Sequence, residues 1–200
     1  GGFAKQGFTR ADQVVNYVVS HDERRPEYEI QQWALHVQPG KRESQFPTRW
    51  ELALQKARLG LAVLLTAPGV PMLLAGQEFG EDSPRTIDFQ PLDWARLETE
   101  AGRRQHTYLR QLLALRRRHP ALRSDHVEFY WDDFPRYKFV RYKRWDDRED
   151  IVIVAANFDN VAQKVGLGFP IDGWWRNALT GQRSLVKGHW RDFTVPAWSA

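Results

Sequence analysis

Along the 200 residues the apolar positions change their period near Pro120. Before it, short continuous apolar runs alternate with segments of helical spacing. The first run, Val14-Val15-Asn16-Tyr17-Val18-Val19, is nearly unbroken, which suits a strand covered on both faces as in parallel sheets. Residues 24–47 are polar and carry Pro26, Pro39 and Pro47, so they read as a long loop with a short helix around Glu29 to His36. Thr48-Arg49-Trp50-Glu51 has the spacing of a capping box. Trp50, Leu54, Ala57, Leu61, Leu64 and Leu65 then recur at helical intervals until Ala67-Pro68-Gly69 stops the helix. Val70 to Ala75 is a second apolar run. Two such runs joined through a helix predict a βαβ unit with parallel strands. After a loop from Asp82 to Asp93, a helix is predicted from about Leu97 to Arg118, with Tyr108, Leu109, Leu112, Leu113 and Leu115 on its apolar face.

Beyond Pro120 the period shortens to two. Residues 126–131, 137–145, 151–158, 161–167, 174–180 and 190–195 read as short strands, separated by turn pairs such as Asp146-Asp147, Asp159-Asn160 and Thr180-Gly181. Val195 to Ser199 looks like the lead into one more strand. The expected fold class is α/β plus all-β: residues 1–120 built of β/α units, and residues 121–200 an antiparallel sandwich-like domain.

Composition changes this picture little. Hydrophobic residues make up 42% and charged residues 27%, ordinary for a globular chain. No apolar run approaches a membrane span, so no membrane partner is expected. The formal charge of +4 is spread among interspersed acids, which argues against nucleic acid as a partner. The one basic cluster, Arg116-Arg117-Arg118, sits where cations offset a helix dipole. The absence of cysteine excludes disulfides and is compatible with a reducing cytoplasm, the expected location. Aromatic residues stand out, with nine Trp, eleven Phe and six Tyr. Trp131, Trp145, Trp174, Trp175 and Trp190 serve either as packing or as platforms for flat ligands such as sugar rings.

The candidate chemistry lies at the strand ends. In parallel α/β architecture functional side chains gather past the carboxyl ends of strands. Ser20-His21-Asp22-Glu23 follows the first run, and Gln77, Glu78 and Glu81 follow the second, so adjacent strands bring the two groups together. Three uses compete for the acidic tip: a metal site, a structural network of Asp22 and Glu23 with Arg24 and Arg25, or a carboxylate-centred catalytic or ligand site. No second histidine stands at metal-ligand spacing, so neither metal nor other cofactor is expected.

With these residues in view, "YVVSHDE" resembles the seventh-strand motif of the α-amylase superfamily, glycoside hydrolase family 13. "APGVPMLLAGQEFGE" is similar to that family's eighth-strand region, and "PLDW" with "LLALRRRHPAL" to the stretch leading into its last barrel helix. Ser before the His-Asp pair and Glu after it resemble the 1,4-α-glucan branching enzymes more than the hydrolases. The resemblance implies the C-terminal part of a (β/α)8 barrel followed by a β-sandwich, acting on α-glucan polysaccharides or oligosaccharides by retaining chemistry. It assigns Asp22 as the third catalytic carboxylate and His21 as a hydrogen-bonding partner of the same sugar, with Glu23, Gln77 and Glu78 as further substrate-binding residues. The nucleophile and general acid of the family lie on earlier strands with no counterpart here. A whole barrel takes about 250 residues, so the chain resembles a C-terminal fragment whose partner is the N-terminal remainder of the barrel, inactive by itself. An α-amylase-, pullulanase- or trehalohydrolase-like hydrolase, or a non-catalytic carbohydrate-binding module around residues 123–200, remain the alternatives.

Overall fold

The computed structural model describes residues 7–36, 46, 48–130 and 138–200. Strand β1 (Val15–Asn16) pairs in parallel with β2 (Val70–Pro71), in the register Val15 to Val70 and Asn16 to Pro71. Between them run helices α1 (Pro26–His36) and α2 (Arg49–Thr66). The loop segment through Pro39-Gly40 and the aromatic Trp131 lie outside the described residues.

Both strands are shorter than the apolar runs predict. Coverage of the first run on both faces is also not found: Val15, Tyr17 and Val18 are exposed, and only Val19 and Ser20 are buried. The physical reason is the two-stranded sheet, which has no further strand among the described residues to lay helices or neighbours over its faces.

α2 forms where the capping signal places it. The Thr48 hydroxyl accepts from the Glu51 N–H at 3.1 Å. Its leucines serve two cores. Leu61, Ala62, Leu64 and Leu65 pack on Leu109 and Leu112 of α3 (Glu100–Arg118). Leu52 and Leu59 pack on Ala156, Ala197 and Trp198. α3 starts three residues later than predicted, because Trp94–Glu98 forms a 3-10 turn and Thr99 caps the helix through the Gly102 N–H. Arg116 does find helix carbonyls, but those of the neighbouring helix: it donates to the oxygens of Leu65 and Ala67 at 2.9 and 3.1 Å, closing the end of α2.

The remainder is antiparallel. β3 (Val127–Tyr130), β4 (Phe139–Trp145) and β5 (Ile151–Asn157) form one sheet in that order. β6 (Gln163–Gly168) pairs with β9 (Trp190–Val195), and β7 (Gly173–Arg176) with β8 (Arg183–Val186). Leu167, Phe169 and Val186, with Ile153, Ala155, Trp175 and Phe193 against them, form the core these sheets share. The single strand predicted over 174–180 ends at Arg176. The turn at Asn177–Gln182 then folds β8, which the period-two pattern missed, back upon it. The lead-in at the C-terminus is completed as a bridge from Ser199 to Asn157 of β5.

Candidate functional site

The chain leaves β1 through a tight turn over residues 21–23 that is built from its own side chains. One Glu23 carboxylate oxygen accepts both the Ser20 N–H at 2.6 Å and the Ser20 hydroxyl at 2.5 Å, and the Ser20 hydroxyl accepts the Asp22 N–H at 3.2 Å. The hydrogen bonds from Ser20 hold the exposed Glu23 carboxyl below its ordinary value of 4.5. This closure turns His21 and Asp22 outward. Their side chains are 84% and 68% exposed, with His21 Nε2 at 3.4 Å from an Asp22 oxygen.

A third group reaches them from the loop after β2. Arg85 Nη2 stands 3.6 Å from the other Asp22 oxygen, and Arg85 Nε donates to the His21 carbonyl at 3.3 Å. No sequence signal marks this arginine, because its contribution depends on how the loop from Asp82 onward folds back over the first strand's end. The structural pairing of the acidic tip with Arg24 and Arg25 takes another form. Arg24 reaches Glu29, and Arg25 donates to the Ala75 carbonyl at 2.8 Å, tying the two strand ends together as the parallel pairing requires.

At the second strand end the side chains turn inward. Gln77 is buried, its Oε1 accepting the Leu74 N–H at 2.7 Å. Glu78 is half-buried, with its carboxylate on the Gly76 N–H at 2.7 Å. Gly76 has φ +96°, and a Cβ there would lie 2.6 Å from that of Glu81, so only glycine fits this turn. The Glu81 carboxylate accepts the Ser83 and Asp93 N–H groups at 2.9 and 2.6 Å. Those bonds and Arg96 outweigh burial and lower its pKa. Beside the tip, α1 and the loop after β2 enclose a polar cavity of about 420 Å³, lined among others by Tyr28, Gln31, Gln32, Asp82, Gln90 and Arg96. Gln31 Nε2 donates to Asp82 at 2.6 Å, and Arg96 pairs with the same carboxylate. No group of three or more His, Asp or Glu suited to a metal ion occurs among the described residues.

Close by, Glu27 in the first turn of α1 is 1% exposed and its Oε2 has no partner. Burial, opposed by its own backbone N–H and by Arg25, pushes its pKa from 4.5 up to about 7. The native state therefore holds a proton there that the unfolded chain releases near its ordinary pKa. The stability this gives is complete below that value and is lost as pH rises through about 7. The loss is of order 3 kcal/mol at higher pH. Urea unfolding at pH 5.5 and 8.5 should show roughly 2 kcal/mol of it, the rest being lost already between the unfolded pKa and pH 5.5, and Glu27→Gln should remove most of the difference.

No family model matches the chain. The 1,4-alpha-glucan branching enzyme GlgB of Bacillus cytotoxicus is 33% identical over 71% of this chain and 23% of its own length. The isoamylase of a Flavobacterium species is 34% identical over 58% of this chain and 15% of its own. Among solved structures, the type I pullulanase of Bacillus subtilis, complexed with maltose, superposes with TM-score 0.67 at 23% identity over 94% of this chain and 27% of that one. The chain thus spans about a quarter or less of the relatives it matches, and its mixed helical and sheet fold is that of the corresponding part of the pullulanase. On these likenesses it is a member of the α-amylase superfamily, glycoside hydrolase family 13. Branching enzymes are among its relatives.

Proposed function

We propose that this chain is the C-terminal part of an α-glucan-active retaining enzyme, a 1,4-α-glucan branching glucanotransferase of the cytoplasm. In this reading residues 1–120 are the last units of a (β/α)8 barrel and residues 121–200 its β-sandwich. The exposed Val15, Tyr17 and Val18 are then positions that a completed barrel covers. Asp22 binds hydroxyls of the distorted sugar, more tightly as positive charge develops at the reacting carbon, and His21 hydrogen-bonds the same ring. Arg85 steadies the Asp22 carboxylate. Glu23, tied back to Ser20, and Gln77 and Glu78 at the neighbouring turn line the same substrate site behind His21 and Asp22. The nucleophile and general acid come from polypeptide outside these 200 residues.

The observation that carries this is the outward-facing His21-Asp22 pair at the end of a parallel strand, in a chain related to enzymes of this class. The isoamylase and pullulanase relatives favour a second reading in which water takes the glucosyl group. Amylose separates the two when incubated with the longer polypeptide that carries this chain. Branching lowers iodine absorbance with almost no new reducing ends, whereas hydrolysis releases reducing ends in step with the loss of stain. If neither changes, the assignment to α-glucans fails.

A further inference from the structure

The five tryptophans singled out in the sequence separate in the structure. Trp131 lies outside the described residues. Trp145 is half-buried, stacked on His126 at 5.3 Å with the Lys143 ammonium 4.9 Å from its ring. Trp175 packs edge-on against Phe169 in the core. Trp174 is exposed, but the Arg183 guanidinium stands 4.9 Å from its ring centre. Trp190 differs from all of these. It is 55% exposed, and among the described residues neither a ring nor a cation stacks on it.

Its support comes from glycine. Trp190 opens β9 opposite Gly168 of β6, on the sheet face away from the Phe193 and Val165 side chains of the core. The indole lies across the strand. A Cβ at Gly166 would overlap its Cζ2, Cε2 and Nε1, and one at Gly168 would touch Cζ3 at 3.8 Å. Two glycines at alternate positions of one strand therefore make a flat bed, and the far face of the ring is left to solvent. Such a ring has lost most of its freedom before any ligand arrives, which lowers the entropic cost of binding.

The edge of the platform is polar. Asp192 lies on the same face, with a carboxylate oxygen 3.1 Å from the Lys164 ammonium. A hydrogen bond and the charge of Lys164, and to a smaller degree the Trp190 side chain, hold the Asp192 carboxyl below its ordinary value. The face thus offers an acceptor and a donor beside an open aromatic surface. A pyranose has the matching chemistry, with C–H groups on its face and hydroxyls around its rim.

We infer that Trp190, bedded on Gly166 and Gly168 and flanked by Asp192 and Lys164, is a surface binding platform for α-1,4-glucan chains. The choice of glucan rests on the proposed function; the platform itself rests on the geometry. It holds polymer on the antiparallel part of the molecule, separately from the tip at Asp22.

The test is titration of the 200-residue chain with maltoheptaose, read by tryptophan fluorescence and calorimetry, with cellohexaose in parallel. Trp190→Ala should weaken maltoheptaose binding about tenfold or more. Gly166→Ala, which keeps the tryptophan but lifts it from its bed, should weaken it as well. Trp174→Ala, at a ring that Arg183 already covers, should leave this binding unchanged. The proposal is overturned if the chain binds no maltoheptaose, if Trp190→Ala binds as the parent sequence does, or if Trp174→Ala abolishes the binding. Equal affinity for cellohexaose overturns the assignment to α-glucans. Because none of these readings uses turnover, a failure here is distinct from a failure of the catalytic proposal.

Discussion

Asp22→Asn, placed in the longer polypeptide that carries this chain, should lower turnover of amylose about 10²- to 10³-fold, with the loss in kcat rather than in KM. The substitution keeps the size of the side chain and a hydrogen-bonding oxygen but removes the charge. If Asp22 serves the transition state more than the ground state, charge is what the reaction misses. Stability should hardly move. The side chain is 68% exposed, and its neighbours His21 and Arg85 stand 3.4 and 3.6 Å away in solvent, where ion pairs contribute little. Steady-state kinetics together with a urea unfolding curve decide the matter. Unchanged kcat would reduce the His21-Asp22-Arg85 group to surface electrostatics, and a large fall in stability would make it a structural clamp.

The second large effect is expected far from the tip. Arg144 of β4 has no exposure, and all its hydrogen bonds go to main-chain carbonyls: Nε to His126 at 2.9 Å, Nη1 to Thr66 and Nη2 to Ser124, both at 2.7 Å. Burial lowers its pKa to about 10, which leaves it charged at any ordinary pH. Beside it, the Tyr142 hydroxyl meets the Thr66 hydroxyl at 2.5 Å, and burial pushes the tyrosine up to about 12. Arg144→Met would keep the volume but leave three carbonyls without donors. The expected cost is about 3–5 kcal/mol, or roughly 10 °C in Tm for a chain of this size. Arg144→Lys should recover only part, since one ammonium cannot span the fork. A loss below about 1 kcal/mol would mean that water or a repacked side chain satisfies the carbonyls.

Local signals were the legible ones. Thr48 and Glu51 announce α2 and the leucines of α3 set its face, because caps and helical period depend only on near neighbours. The pair Lys143-Arg144 shows the opposite case. Both are cations in one strand, yet Lys143 pairs with Glu128 near the surface while Arg144 is buried, and that choice is made by Thr66 at 78 residues' remove. At the tip the order of residue types was legible, but the direction each side chain takes was not. Ser20 ties the exposed Glu23 carboxylate back to the strand end, Gln77 turns into its own loop, and Arg85 arrives from a loop whose path no periodicity records. β8 escaped for a related reason: Arg183-Ser184-Leu185-Val186 is short and polar at its start, and its partner β7 makes it a strand.

α2 is packed by residues from beyond Pro120 as well as by its neighbours before it. Its far end is gripped by Arg116 from one side and by Arg144, through Thr66, from the other, while its leucines fill the core against α3 and the core against Trp198. Residue 120, where the sequence changes character, is thus not a seam in the molecule. A recombination event at that point would hand the incoming strands a buried guanidinium with one of its carbonyls missing and a tryptophan with nothing to lie against. The change of period along the chain thus marks a change of architecture across which the packing is continuous.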